Sequence, residues 1–276
     1  MITLRTTNTH PIVIDMEMKS PSIYLDHCVI SDLARRREVG DTVRDLLFGK
    51  NGTLCLSAAH LIETYGLGFG PTFRNIKDYL STFENRFIIL DYDPNSVIKK
   101  EREWREGMPF PAYHTDIISE IIDRWDGITI ISAGLLLDGL EENRELGDKF
   151  KKFHTRQKKE LFELFNYTRQ AYREDRDVKR NLDRKICPDP YIDGTTAYLE
   201  CTLRRECVKT NDNFQPQDGL DLFHSIVSVS YCDFVILDKK WTRRLREIDL
   251  PDKAAKVFST IEIQEFCEDL GIFDVD

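Results

Sequence analysis

The sequence predicts an α/β fold: a central parallel sheet of about five strands, with a helical insertion in the middle of the chain. Three observations predict it. Short apolar runs alternate with amphipathic segments towards both ends of the chain. The strand signal stops after the Asp91-Tyr92-Asp93-Pro94 turn and returns only beyond Pro216, with helical periodicity between. Two of the apolar runs end on an aspartate, Asp26 and Asp238, where an open parallel sheet would present it at the crevice beyond its carboxyl edge.

Taken in order, residues 1–20 alternate weakly through Ile12 and Ile14 and predict an edge strand or a loose arm. Strands are expected at 22–26, 53–57 and 86–91. From 92 to 216 the spacing turns helical. Ile117, Ile118, Ile121, Ile122 and Trp125 recur at helical intervals, and so do Phe150, Phe153, Leu161, Leu164, Phe165 and Tyr172. Strands return at 233–237 and 256–259 with a helix over 241–246 between them, and a helix over 261–270 closes the fold. No internal repeat or low-complexity linker breaks this order. The chain therefore reads as a single domain, 1–276, with its core in 20–91 and 217–276 and the insertion, 92–216, packed on the sheet as a lobe.

A chain of 276 residues with 41% apolar content is long enough to bury a substantial core. The longest nearly apolar run, 128–137, is too short to span a bilayer, so no membrane association is expected. The N-terminus carries Arg5 and His10 but no apolar stretch with a cleavage site, so export is not expected either. Seven cysteines match no zinc signature, and Cys28, Cys55 and Cys232 lie in or beside strands, where a free thiol packs as a small hydrophobe. A reducing, cytoplasmic setting fits that usage. The net charge of −9 argues against a protein that coats nucleic acid, but not against an enzyme whose phosphate contacts are local.

The chemistry is carried by acids. Asp26 ends the run Ser22-Ile23-Tyr24-Leu25, Asp238 ends Phe234-Val235-Ile236-Leu237, Glu63 lies on the helix after Leu54-Cys55-Leu56-Ser57, and Asp221 sits in the first turn of the helix feeding the Asp238 strand. Carboxylates gathered at one sheet edge repel one another, and a divalent cation between them relieves the repulsion. Each also has a structural reading: Asp26 as the cap of a helix beginning near Val29, Glu63 as a solvated helix residue, and Asp238 as the start of the next helix. Asp218 suits the N-cap ahead of Gly219, which leaves Asp221 on the face of His224; Asp218 is retained as a further candidate ligand. Asp233, at the opposite end of its strand and ~16 Å from Asp238, reads as structural. His60 and His224 lie near the acids as hydrogen-bonding support, and His27 flanks a strand end, facing solvent. Basic residues follow the first acid (Arg35, Arg36) and the last (Lys239, Lys240, Arg243, Arg244), placed to hold nucleic-acid phosphates at the crevice rim. The basic stretch 149–185 reads as a solvated helix face.

Three segments carry a resemblance: Tyr24-Leu25-Asp26-His27-Cys28-Val29-Ile30-Ser31-Asp32-Leu33; Leu56-Ser57-Ala58-Ala59-His60-Leu61-Ile62-Glu63; and Asp218 to His224 running on through Tyr231 to Lys239. In order and spacing they resemble the PIN-domain family of metal-dependent nucleases, in its PIN-like branch where a helical insertion separates the second and third acids. The resemblance implies a three-layer fold and an endoribonuclease using Mg²⁺ or Mn²⁺ held by Asp26, Glu63, Asp221 and Asp238. It also implies an RNA or single-stranded nucleic-acid substrate, and a role as a toxin, RNA-processing enzyme or defence effector, with room for an inhibitor or effector protein and for a homo-oligomer. Two divalent ions roughly 3.5–4 Å apart would neutralise the attacking and leaving oxygens. Two positions depart from the family pattern: His27-Cys28 replaces a small polar pair after the first aspartate, and Ile236 stands where Thr or Ser is usual. Ile236 also leaves open a PIN-like binding module without activity. A haloacid-dehalogenase-like phosphatase would need a second aspartate where Cys28 stands and would give Glu63 no role.

Overall fold

The computed structural model describes residues 1–5, 13–103, 110–112 and 131–273. The helical spacing from Ile117 to Trp125 and the alternating Ile12 lie outside them. Five parallel strands form the main sheet: β3 (Ser22–Leu25), β4 (Thr53–Ser57), β5 (Phe87–Leu90), β6 (Phe234–Leu237) and β7 (Lys256–Ser259), in the order β5-β4-β3-β6-β7. All five expected strands are present. The N-terminal residues do not add an edge to this sheet. β1 (Ile2–Arg5) and β2 (Val13–Met16) pair antiparallel as a separate two-stranded ribbon, tied to the body where the Ile2 amide donates to Asn85 and the Ile2 side chain is buried.

Period-two alternation divides the strands between two cores. Ile23, Leu25, Leu54, Leu56, Phe87, Ile89, Phe234, Ile236 and Phe258 face one, whereas Tyr24, Cys55, Ile88, Leu90, Val235, Leu237 and Val257 face the other. A sheet buried on both faces explains why its strands read as continuous apolar runs. Helices α1 (His27–Arg35), α2 (Arg37–Gly49), α3 (Ala58–Gly66), α4 (Pro71–Ser81) and α12 (Ile263–Ile272) line the first core. The second is lined by α9 (Thr195–Lys209), α10 (Asp218–Tyr231) and α11 (Lys239–Arg246). The result is a three-layer α/β arrangement.

The insertion comprises α5 (Pro94–Glu103), α6 (Ala133–Glu142), α7 (Arg144–Glu174), α8 (Arg176–Arg184) and α9 among the described residues. It is built into both helical layers. Leu136, Leu137, Leu140 and Leu146 belong to the first core, and Phe165, Leu199 and Leu203 to the second, with α7 running between them. Near its start α7 crosses α3 at Gly147, where a Cβ would stand 2.4 Å from the Tyr65 ring. Only glycine permits that approach, since the Tyr65 hydroxyl is itself held by the Arg144 carbonyl and Asp148. The close crossing brings the next turns of α7 alongside Glu63.

Candidate active site

Sheet order places the reversal of direction between β3 and β6: from β3 the chain steps outward to β4 and β5, then returns to add β6 and β7 on the other side. A crevice forms at such a switch point, beyond the carboxyl ends of the strands. Asp26 follows β3, Asp238 follows β6, Glu63 is on the helix after β4, and Asp221 is in the first turn of the helix before β6. All four acids line one cleft of about 550 Å³, with His27, Cys28, Lys151, His154, Lys158 and Gln217 among their neighbours.

Capping and cleft placement turn out to be compatible. Asp26 is the N-cap of α1, which begins at His27 and not near Val29, and it accepts the His27 amide at 2.8 Å. Its other oxygen accepts the Cys28 thiol at 3.3 Å, so this cysteine serves the site and is not packed as a hydrophobe. Asp238 caps α11 by accepting the Trp241 amide at 2.8 Å. A carboxylate at a strand end that opens onto a helix has both the cap and the crevice within reach of its two oxygens. Glu63 is not a solvated residue: Lys158 Nζ donates to its Oε1 at 2.9 Å and Gln217 Nε2 donates to the same oxygen at 3.0 Å. Gln217 Nε2 also reaches Asp221 Oδ1 at 2.7 Å, bridging the two acids.

Enclosure, and charge crowding after it, show in the titration of the cluster. Enclosure, reinforced by the charges of Glu63 and Asp238, raises Asp26 to about 6 against hydrogen bonds from Cys28 and His27. Enclosure and the charges of Asp26, Glu63 and Asp238 raise Asp221 to about 8. Burial would raise Glu63 too, but Lys158 foremost, with His27, overrides it and holds the group at about 2. The Cys28 thiol is pushed up by desolvation and by Asp26, so it stays protonated.

These shifts fix a pH dependence. An acid whose folded pKa is raised adds no penalty below its ordinary value of 3.8 and withdraws stability as pH climbs through the folded value. The ion-free protein is therefore expected to melt at progressively lower temperature as pH rises from 3.8 through about 6 and on to about 8. Asp221→Asn should flatten the upper part of that decline. Thermal unfolding in EDTA across the range checks it, and an unaltered decline in the variant would refute the assignment.

The histidines divide by role. The Ser57 amide donates to His60 Nδ1 at 2.9 Å, which leaves the proton on Nε2 to donate to the Leu25 carbonyl at 2.9 Å. His60 thus ties the first turn of α3 to the residue before Asp26, and burial lowers it to about 4. His224 stacks on His60 at 6.0 Å, is lowered by burial to about 3, and its buried Nε2 has no partner among the described residues. His27 does not face solvent: its Nε2 lies 3.2 Å from Thr64 Oγ1 and its Nδ1 3.7 Å from Glu63, because as the first residue of α1 it turns against α3. His154 lines the cleft, is buried, and likewise has an unpartnered Nε2.

Other expected residues go elsewhere. Asp218 is neither the N-cap, which is Gln217, nor part of the cleft lining: Lys240 binds its Oδ1 at 2.5 Å and the Gln215 amide its Oδ2 at 2.6 Å. Asp233 is structural as expected, accepting from Ser20 and from the Ser22 amide and hydroxyl. The rim arginines are engaged with neighbours: Arg35 and Arg36 pair with Asp32, and Arg243 and Arg244 with Asp212, Arg244 being buried. Lys240 is held by Asp218, which leaves Lys239 exposed and without an ion pair among the described residues. None of these six lines the cleft. The basic residues that do are Lys151 and Lys158 of α7, inside the stretch read as solvated.

Among the described residues no group of three His, Cys, Asp and Glu side chains stands ready to hold an ion. The donors nevertheless suit a hard divalent cation: all four acids offer oxygen, enclosure together with mutual repulsion drives two of them towards protonation, and a cation would offset the repulsion. No helix among the described residues is long and apolar enough to cross a membrane. Neither the family models, nor the curated proteins, nor the solved structures compared with this chain match it.

Proposed function

We propose that this chain is a divalent-metal-dependent endonuclease that hydrolyses phosphodiester bonds in RNA, of PIN-like type. The observation that carries the reading is the meeting of Asp26, Glu63, Asp221 and Asp238, from four separate elements, in one cleft at the switch point of the sheet. Mg²⁺ or Mn²⁺ held by these carboxylates would supply charge neutralisation at the reacting phosphate. Asp26 and Asp238 are fixed by their capping bonds, and His60 sets the α3 acid against the β3 acid. Ile236 does not bear on the cleft: its side chain faces the first core, and its carbonyl accepts the Asp26 amide at 2.9 Å. The preference for RNA rests on the family resemblance.

Incubation of the purified chain with labelled single-stranded RNA and MnCl₂ tests the reading. Internal cleavage that EDTA stops is the expected result, and RNA left intact over a range of Mn²⁺ concentrations would reject it. RNA binding without cleavage would point to an inactive PIN-like module.

Substrate approach follows from α7. Lys149, Lys152 and Arg156 line a groove with the exposed Phe153 and with Glu145 and Asp148, on the face next to Lys151, and Lys149, Lys151 and Lys152 make no ion pair among the described residues. Replacing Lys149, Lys151 and Lys152 by Ala is expected to weaken RNA binding and to reduce the salt slope by about 2, since each single-strand phosphate contact contributes ~0.7. Replacing Arg243 and Arg244 should change the slope less, because both already pair with Asp212 and Arg243 with Glu247 as well. Binding measured at several salt concentrations ranks the two surfaces, and a larger loss from the arginine pair would return the substrate path to α11.

A further inference from the structure

Lys158 stands one turn after His154 on α7, and its ammonium crosses to α3 to meet Glu63 Oε1 at 2.9 Å. Both partners are largely enclosed, with side-chain exposures of 23% and 17%. The Gln217 amide donates to that same oxygen and to Asp221 Oδ1. One ammonium and one amide therefore do inside the cleft what a cation would do: they supply positive charge to Glu63 and bridge Glu63 to Asp221. The lone pairs of Glu63 Oε1 taken up by these donors cannot also bind an ion.

We infer that Lys158 is a built-in counter-cation of the acidic cleft, which a divalent ion must displace from Glu63 in order to load. The inference rests on the reading of the cleft as a metal site. It assigns α7 a part in regulating that site. The helix that carries the basic surface also holds the plug, so ion entry and the position of the Lys158 side chain are coupled. Displacement is a competition between two cations for one carboxylate, and it differs from a general effect of nearby positive charge. Lys151 provides the comparison, since it lines the same cleft on the same helix without an ion pair among the described residues.

Mn²⁺ binding to the full chain, followed by calorimetry in the absence of RNA, tests this. Lys158→Met is expected to bind Mn²⁺ about fivefold more tightly than the wild type, and Lys151→Met less than about twofold, because the latter removes only screened, through-space repulsion. Lys158→Met should also melt lower than the wild type in EDTA and recover on adding Mn²⁺, as Glu63 regains a positive partner. Lys158→Gln, which keeps a donor without the charge, should tighten binding too and serves if the methionine variant does not fold. Equal tightening in the Lys158 and Lys151 variants would overturn the inference and leave the metal site standing, as would unchanged or weaker binding in the Lys158 variants. No Mn²⁺ binding by any of these proteins when folded would overturn the metal reading and this inference with it.

Discussion

Asp26→Asn is expected to abolish Mn²⁺-dependent RNA cleavage while leaving the fold intact. The two halves of that result have separate causes. Asparagine keeps an acceptor for the His27 amide and ranks with aspartate as an N-cap, so α1 retains its start. It cannot supply the negative charge that a cation at Asp26 and Asp238 requires, and loss of such an electrostatic contact lowers rates by on the order of 10² to 10³. Stability should move the other way from activity. Asp26 titrates at about 6, so the folded protein withdraws stability as that carboxyl ionises. The variant should therefore melt at or above the wild type at pH values higher than about 6 in EDTA, and match it below 3.8. Asp238→Asn, which keeps the Trp241 cap in the same way, should show the same loss of cleavage. Unchanged cleavage by the double variant would reject the site.

Glu63→Gln is expected to produce a loss of a different kind, one that added metal can repair. On the proposed reading the substitution removes one anionic ligand and leaves the other three acids, so Mn²⁺ affinity should weaken by at least the roughly 10- to 100-fold that loss of a residue supporting a ligand brings, and mass action can offset part of that. Cleavage should thus fall strongly at low Mn²⁺ and recover partly as the concentration rises. The same variant strips Lys158 of its partner. Glu63 owes its value of about 2 to that neighbour, so its contribution to stability is present above its ordinary value of 4.5 and fades only as pH falls towards 2. In EDTA the variant should lose that contribution at neutral pH. A phosphatase acting through Asp26 would be nearly indifferent to Glu63, would form an acid-labile phosphoenzyme, and would hydrolyse small phosphate monoesters. Wild-type protein that releases phosphate from such monoesters but leaves RNA uncut would end the nuclease reading.

The strands were legible because burial on both faces makes them continuous apolar runs, and each of the five stands where those runs lie. The acids were legible because the chemistry of a parallel sheet edge is tied to where its strands stop. What escaped was set by tertiary contact. Whether Asp218 or Asp221 enters the cleft depends on Lys240 of α11, which no local pattern reveals. Arg243 and Arg244 looked free because Asp212 is an ordinary acid until the fold sets it alongside, whereas the pairing of Arg35 and Arg36 with Asp32, three and four residues away at the end of α1, was there to be read. Lys158 and His154 did leave a signal. Phe150, His154, Lys158, Leu161 and Phe165 follow one another at intervals of three and four along α7, and Phe150, Leu161 and Phe165 pack inward. Polar residues set in an otherwise apolar stripe mark a place where the helix faces something charged.

The pairing of β3 with β6 has a bearing on how the protein comes into being. These two strands lie side by side in the sheet, yet Tyr24 and Val235 are partners across most of the chain's length. During synthesis β3, β4 and β5 emerge early, but one edge of β3 stays open until β6 follows, after the whole insertion has been made. Contacts so distant in sequence form late and slowly, and an open edge left waiting is prone to pair with other chains. Asp26 and Glu63 are likewise present from the start, whereas Asp221 and Asp238 arrive with the last quarter of the chain. A nascent chain therefore holds only two of the four cleft carboxylates until the helix before β6 and β6 itself have been made, and the cleft is completed in a single late step, when β6 joins β3.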